Sequence, residues 1–141
     1  MKIFLDANIL ITVLCNEYPR FSVCARLLSL ADNPRFEVFT SPLCLAIAFY
    51  FAEKKNGNKL ARKKIALLAD KLKATTVDEK AVREASANKS VKDFEDGMEY
   101  YSAFNSGCKC IVTYDKKDFY FSEIEVLDPE ELLLKYAVVK K

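Results

Sequence analysis

The sequence predicts an α/β fold in which helices cover a mainly parallel sheet. Short apolar runs of strand type alternate with longer helical patterns, as in strand–helix–strand units. The 141 residues include only three Gly and four Pro, too few for a turn-rich all-β protein. Hydrophobic residues make up 51% of the chain and charged residues 30%, which is typical of globular proteins. This length predicts one domain, spanning residues 1–141.

The first half of the chain is predicted to contain two strands and four helices. In order, they are a strand over 2–6, helices over 7–15 and 21–31, a strand over 37–41, a helix over 42–55 and a basic helix ending near 73. Ser22 is the expected N-cap of the second helix. Pro42 is a good first-turn residue for the third, and Gly57 separates the last two.

The second half alternates in the same way. It is predicted to contain a strand over 75–78, a helix from about 79, a helix over 93–105, strands over 108–113 and 125–128, and a helix over 129–137. Phe94, Met98 and Tyr101 recur at the spacing of one helix face. Gly107 suits a helix end. Residues 128–131, Asp-Pro-Glu-Glu, form a helix-capping signature.

Composition excludes several classes of chemistry. The chain has no His, which rules out Ser–His–Asp and Cys–His catalysis. Its five Cys match no secreted disulfide framework, and the spacing of Cys108 and Cys110 does not suit zinc, so both are expected in the core. Residues 42–52, the longest apolar run, are too short to span a bilayer, and Asp6 and Asn8 interrupt any signal-peptide core. The protein is therefore predicted to be cytoplasmic, without membrane contact.

Charge is unevenly distributed along the chain. The net charge is only +2, yet residues 54–73 hold eight Lys or Arg and one acid. Residues 115–131 hold seven acids and two Lys. The basic block is either a solvated helix face or a surface that faces RNA, and the sequence leaves both interpretations open.

Acidic residues follow the predicted strands. Asp6 comes directly after the first strand, and Asp115 follows the strand that ends at Thr113. Asp93 and Asp96 lie in the first turn of the helix that leads into that strand. Because functional groups of parallel sheets gather at the carboxyl ends of the strands, these segments can meet in one pocket.

Crowded carboxylates repel one another, and a bound divalent cation is the usual remedy. Mg²⁺ bound by a few carboxylates retains water and can support phosphodiester hydrolysis without histidine. Helix capping is the competing explanation, because Asp78 and Asp128 also follow predicted strands and need no catalytic role. Asp93 and Asp96 also suit a helix start.

Several segments together resemble PIN domains, in the order and spacing of that family. The matching segments are residues 2–10 (KIFLDANIL), 39–43 (FTSPL), 93–107, 111–119 (IVTYDKKDF) and 126–132 (VLDPEEL). The resemblance covers nearly the whole chain. It implies a three-layer α/β/α sandwich and an endoribonuclease that depends on Mg²⁺ or Mn²⁺.

Many small single-domain PIN proteins are toxins of toxin–antitoxin pairs, so the resemblance also implies RNA as substrate and an antitoxin protein as partner. One alternative is a degenerate PIN module that binds RNA or a protein without cleavage. Another is a hydrolase of small phosphoesters. Tyr50, Phe51, Tyr100 and Phe104 cannot all fit a small core, which suggests a homodimer.

The resemblance assigns roles to individual residues. Asp6, Asp96 and Asp115 would bind the metal, and Asp118 would be an alternative or additional catalytic acid. The supporting residues around them would be Asn8, Ser41, Asp93 and Thr113. Lys116 and Lys117 would either contact phosphate or remain on the surface.

The sequence departs from the family pattern at one position. PIN domains usually carry a Glu in the helix after the second strand, near Ala46 or Ile47, and this helix has no acid before Glu53. Asp93 or Glu95 is expected to compensate if the site binds metal.

Overall fold

The computed structural model describes residues 1–138 and contains one parallel five-stranded sheet. The strands are β1 (Lys2–Leu5), β2 (Glu37–Thr40), β3 (Lys73–Ala74), β4 (Cys110–Val112) and β5 (Glu125–Leu127). Their order across the sheet is β3-β2-β1-β4-β5. Residues 139–141 lie outside the described part. The single domain predicted over residues 1–141 therefore stays a prediction.

Seven α-helices connect and cover the strands within the described residues. They are α1 (Ala7–Leu14), α2 (Phe21–Ser29), α3 (Pro42–Asn56), α4 (Asn58–Lys71), α5 (Glu79–Ala87), α6 (Phe94–Asn105) and α7 (Pro129–Tyr136). The extensive contacts between helices fall into two groups, α1 to α4 with α7, and α5 with α6. The arrangement is the three-layer α/β/α sandwich expected from the sequence.

Strand β1 is at the centre of the sheet and of the core. Ile3, Phe4 and Leu5 are completely buried. In register, Phe4 is opposite Phe39 of β2 on one side and Ile111 of β4 on the other. A segment buried on both faces and paired at both edges must be continuously apolar, as Ile3–Leu5 is. β2 and β3 lie on one side of β1, and β4 and β5 lie on the other. The strand order therefore reverses between β1 and β4.

Capping residues connect the strand ends to the helices. Ser41 Oγ accepts from the Cys44 N–H at 3.0 Å at the start of α3. Asp78 caps α5, and Asp128 forms a full capping box with Glu131 in α7. The capping roles predicted for Asp78 and Asp128 are therefore confirmed. Each cap satisfies backbone donors that the first helical turn leaves free.

Three local predictions are wrong. Residues 75–78 form no strand, because β3 ends at Ala74 and the chain then turns so that the Thr75 hydroxyl donates to Ser102 Oγ of α6 at 2.9 Å. Ser22 is not an N-cap, because α2 begins at Phe21 with Arg20 at the cap position, so Ser22 lies inside the helix. Tyr100 is not exposed: its ring packs among the aromatic rings of α6 and Phe121, and its hydroxyl accepts from a backbone N–H.

The expected core cysteines are confirmed. Within the described residues, all five Cys are buried free thiols, including Cys108 and Cys110. Among residues 1–138, no helix is long and apolar enough to cross a membrane.

The basic block, residues 54–73, makes specific contacts with the rest of the fold. Lys64 Nζ donates to the Leu14 carbonyl at 2.9 Å, and Lys55 Nζ donates to the Cys15 carbonyl. Both carbonyls belong to the C-terminal end of α1, where the helix dipole favours positive charge. Lys71 forms a 2.7 Å ion pair with Asp32. Part of the block therefore stabilises the fold.

Gly107 ends α6 with a backbone φ of +80°, in the left-handed region. Its surroundings are open, since the nearest atom to an added Cβ would be Lys2 Nζ at 3.8 Å. We expect Gly107→Ala to lower the free energy of unfolding by roughly 1–2 kcal/mol through backbone strain. Gly107→Asn is the control, because Asn tolerates this conformation and should cost less. Urea unfolding of both variants measures the difference, and equal losses would contradict a backbone origin.

Candidate active site

A cleft of about 190 Å³ lies at the carboxyl ends of β1 and β4, where the strand order reverses. Six acidic side chains line it: Asp6, Glu95, Asp96, Glu99, Asp115 and Asp118. Helix α3 contributes an apolar residue, Ile47. The three carboxylates that the sequence analysis placed at a metal, Asp6, Asp96 and Asp115, thus share one cavity. Parallel topology explains this, because it carries the ends of β1 and β4 and the start of α6 to the same edge of the sheet.

Asp6 is the most constrained member of the cleft. It is the N-cap of α1, with Oδ1 accepting from the Ala7 N–H at 2.7 Å. Oδ2 accepts from the Thr113 hydroxyl at 2.9 Å and from Asn8 Nδ2 at 3.4 Å. The side chain is only 7% exposed. These contacts from two strand ends fix where its negative charge points.

Asn8 and Thr113 connect the ends of β1 and β4. Asn8 Nδ2 donates to Thr113 Oγ1 at 3.0 Å and to Asp115 Oδ2 at 3.1 Å, and Asn8 Oδ1 accepts from the Tyr114 N–H at 3.3 Å. Thr113 Oγ1 also accepts from the Asp115 N–H at 3.0 Å. The Thr113 hydroxyl donates a hydrogen bond to Asp6 and accepts hydrogen bonds from Asn8 Nδ2 and the Asp115 N–H. It therefore orients both Asp6 and Asp115.

The electrostatic environment disfavours ionisation of Asp96 and Asp118. Asp96 is half-buried, and burial followed by the nearby charge of Asp93 raises its pKa to about 7. Burial, then Asp115 and Asp6, raises the pKa of Asp118. Both shifts have the sign expected where carboxylates crowd in a partly dry cleft without a cation.

Glu99, which the sequence analysis missed, is the most deeply buried acid of the cleft. It is 1% exposed, and its Oε2 has no hydrogen-bond partner among the described residues. Burial, followed by the charge of Asp6, raises its pKa well above the usual range. One carboxylate oxygen each from Glu99 and Asp6, together with Cys44 Sγ, lie within 4.8 Å of one another. The Cys44 thiol donates to Asp6 Oδ1 at 3.9 Å.

A signal for Glu99 was present in the sequence. It lies three residues after Asp96 on α6, so the two side chains share a helix face. Tyr100 and Ala103, its neighbours along the helix, are also buried. An acid within the buried face of an amphipathic helix is unusual enough to indicate a functional site.

Other predicted residues lie outside the cleft lining. Ser41 is buried and caps α3, where it holds the Cys44 N–H. Asp93 caps α6 by accepting from the Asp96 N–H at 3.2 Å. Lys116 forms a 2.6 Å ion pair with Glu131, in agreement with a surface role. Of the two acids expected to compensate for the missing Glu, Glu95 lines the cleft and Asp93 does not.

The residues of the cleft fit a divalent cation. Its donors are chiefly carboxylate oxygens, which Mg²⁺ and Mn²⁺ prefer. Oε2 of Glu99 is a buried acceptor without a donor among residues 1–138, and burial together with the crowding of like charges raises the pKa of Asp96. A cation placed among these oxygens would supply a partner for Glu99 Oε2 and would offset the repulsion between the carboxylates.

Fold and site together define a PIN-domain protein. The family profile described as PIN domain matches residues 2–117, and the chain belongs to this family. Ribonuclease VapC1 of Aquifex aeolicus (strain VF5) is 30% identical to this chain over 135 residues, and the match covers 92% of each of the two chains. The family predicted from the sequence is therefore confirmed.

Solved structures confirm the fold at lower sequence identity. VapBC-1 from nontypeable Haemophilus influenzae superposes with a TM-score of 0.71 at 17% identity, covering 92% of this chain and 99% of that chain. VapBC2 from Rickettsia felis, bound to a DNA fragment from their promoter, gives 0.69 at 17% identity, covering 91% and 98%. Mycobacterium tuberculosis VapC20, a sarcin-ricin loop cleaving toxin, gives 0.67 at 17% identity, covering 88% and 98%.

The raised pKa values predict how the stability of the metal-free protein depends on pH. Between its unfolded value and about 7, Asp96 holds a proton in the folded state that the unfolded chain has lost, and Glu99 shifts in the same direction. Raising the pH through this range therefore lowers the free energy of unfolding. We expect the melting temperature in EDTA to fall from about pH 5 to about pH 8.

Asp96→Asn should make this fall shallower, because the amide does not titrate, while the contribution of Glu99 remains. Calorimetric melting of both proteins across the range makes the measurement. A wild-type melting temperature that rises with pH would contradict the assigned electrostatics.

Proposed function

We propose that this protein is a divalent-metal-dependent endoribonuclease that hydrolyses RNA phosphodiesters, and that it acts in the cytoplasm as the toxin of a toxin–antitoxin pair. The observation that carries the proposal is the convergence of Asp6, Asp96 and Asp115 in one cleft of a PIN fold. The relationship to a ribonuclease over 92% of the chain supports the activity. Fold neighbours from VapBC assemblies support an antitoxin as partner.

Asp6, Asp96 and Asp115 would hold Mg²⁺ or Mn²⁺, with Asp118 as a further acid. When bound, such a cation supplies Lewis-acid chemistry, activating water and neutralising negative charge on the phosphate. Thr113 and Asn8 keep the carboxylates of Asp6 and Asp115 in fixed orientations through the hydrogen bonds described above. Such orientation matters because the geometry of metal-ligating oxygens depends on the groups behind them.

Exposure divides the acids into two groups. Asp115 and Asp118 are exposed and lie where an RNA phosphodiester would enter, whereas Asp6 is buried beneath them. Without His in the chain, carboxylates are the groups available to accept a proton from water near neutral pH. Asp118, which lines the cleft and is exposed, would take this role.

The alternatives receive less support. A degenerate module that binds without cleavage is not favoured, because the cleft retains six acids and the relative matched over 92% of the chain is a ribonuclease. The homodimer stays a prediction: Tyr50 and Phe51 on α3 and Phe104 on α6 are exposed, and only these three of the four predicted aromatics remain available for an interface.

Asp6→Asn is expected to abolish RNA cleavage while preserving the fold. Asn caps helices as well as Asp does, so α1 keeps its N-cap, but the variant loses the charge that a cation needs. Cleavage of a mixed RNA pool in Mg²⁺ or Mn²⁺ measures activity, and circular dichroism verifies folding. Asp70→Asn, an identical change on the exposed face of α4, is the control and should remain active. Metal-dependent cleavage by Asp6→Asn would refute the proposal, as would activity confined to small phosphoesters.

Thr113→Val should lower the affinity for Mn²⁺ by roughly 10- to 100-fold, because Asp6 Oδ2 loses its hydroxyl donor and the Asp115 N–H loses its side-chain acceptor. Isothermal titration calorimetry measures this affinity. Thr113→Ser keeps the hydroxyl and should bind almost as the wild type does. Equal binding by the Val and Ser variants would show that the hydroxyl does not orient the site.

A further inference from the structure

Glu99 combines deep burial with an unsatisfied carboxylate oxygen. Oε2 accepts no hydrogen bond from any described residue, and no ion pair found within residues 1–138 includes Glu99. A buried, unpaired acceptor usually costs about 1–3 kcal/mol. A residue with only a packing role at this position would more simply be apolar. Among the described residues, the neighbouring Asp6 and Cys44 side chains thus leave Oε2 without a donor.

The position of Glu99 Oε2 indicates which kind of partner it lacks. Glu99 lines the same cleft as Asp6, and oxygens of the two side chains approach within 4.8 Å. Two carboxylates this close repel unless a proton or a cation lies between them. A cation between the two would balance their charge and also supply the missing partner of Oε2.

Helix α3, on the other side of the cleft, provides no acid. Its contribution to the lining is Ile47, whereas α6 contributes Glu95, Asp96 and Glu99. The negative charge on the inner wall of the cleft thus comes from α6 and from the end of β1.

We propose that Glu99 is a direct ligand of the divalent cation held by Asp6, so that α6 supplies the inner carboxylate that α3 lacks. The inference rests on the proposed metal-dependent function and adds an inner ligand to Asp6, Asp96 and Asp115. Asp96 and Glu99, one turn apart on α6, then bind from the same helix face.

Glu99→Gln separates a metal ligand from a structural carboxyl. Gln matches Glu in size and keeps polar atoms at this position, but it lacks the charge that Mg²⁺ and Mn²⁺ require. We expect Mn²⁺ affinity, measured by isothermal titration calorimetry, to fall by at least about tenfold. Glu79→Gln, the same change at an exposed position at the start of α5 and outside the cleft lining, is the control and should leave the affinity unchanged. Thermal melting in EDTA verifies that each variant folds.

A second variant tests the location of the charge. Because Ile47 lines the same cleft from α3, Ile47→Glu combined with Glu99→Gln places a carboxylate on the facing helix. We expect this double variant to recover Mn²⁺ binding lost in Glu99→Gln, and such recovery would also support the proposal if the single variant folded poorly.

The outcomes distinguish this inference from the proposed function. Wild-type Mn²⁺ affinity in Glu99→Gln, together with lost binding in Asp6→Asn, would overturn the role of Glu99 and leave the metal site at Asp6 intact. Undiminished Mn²⁺ binding by Asp6→Asn would overturn both. Loss in Glu99→Gln without recovery in the double variant would assign Glu99 to positioning rather than ligation and so overturn the proposal.

Discussion

Mutual repulsion among the carboxylates at the carboxyl ends of β1 and β4 is the constraint on which this structure depends. Six acids line a cleft of about 190 Å³, and two of them, Asp6 and Glu99, are almost completely buried. The fold opposes this repulsion with hydrogen bonds from Thr113, Asn8 and the N-terminus of α1. These donors stabilise the charge of Asp6 but do not reach Oε2 of Glu99. The cleft is therefore a local source of instability that a cation would relieve.

The rest of the fold supplies the rigidity that such a site needs. Ile3–Leu5 of β1 are fully buried, and the strand is paired on both sides. The side chains that follow β1 and β4 are joined by the Asn8 and Thr113 hydrogen bonds. An arrangement of this kind holds like charges together because separating them would require the central strands to part. Stability gained in the apolar core offsets the instability of the acidic edge, a common relationship between scaffold and functional site.

The predictable part of the site follows from topology. Asp6 and Asp115 come directly after strand patterns, so knowledge of parallel order is enough to place them together. Glu99 was missed because its burial depends on which face of α6 packs on the sheet, a tertiary property that the residues after Asp96 indicate only weakly. The error at Tyr100 has the same cause, since this neighbouring residue was expected on the surface and is buried.

The predictable part of the fold was limited in a similar way. The strands with strong apolar runs were predicted correctly from the sequence. The all-parallel sheet agrees with the α/β class that was expected. The edge strand was misplaced because β-branched residues 75–77 resemble a strand, whereas the two residues that pair with β2 are exposed Lys73 and Ala74. A short edge strand is determined by its partner more than by its own sequence.

The lysine contacts at the end of α1 reduce the number of cations in the basic block that are available to bind phosphate. Lys55 and Lys64 donate to main-chain carbonyls there, and Lys71 and Lys73 are each paired with an acid, so four of its eight cations already have partners within the protein. The number of counterions released when a polyanion binds depends on cations that reach phosphates, not on those engaged internally. The ionic-strength dependence of RNA association should accordingly be shallower than the charge of this segment implies.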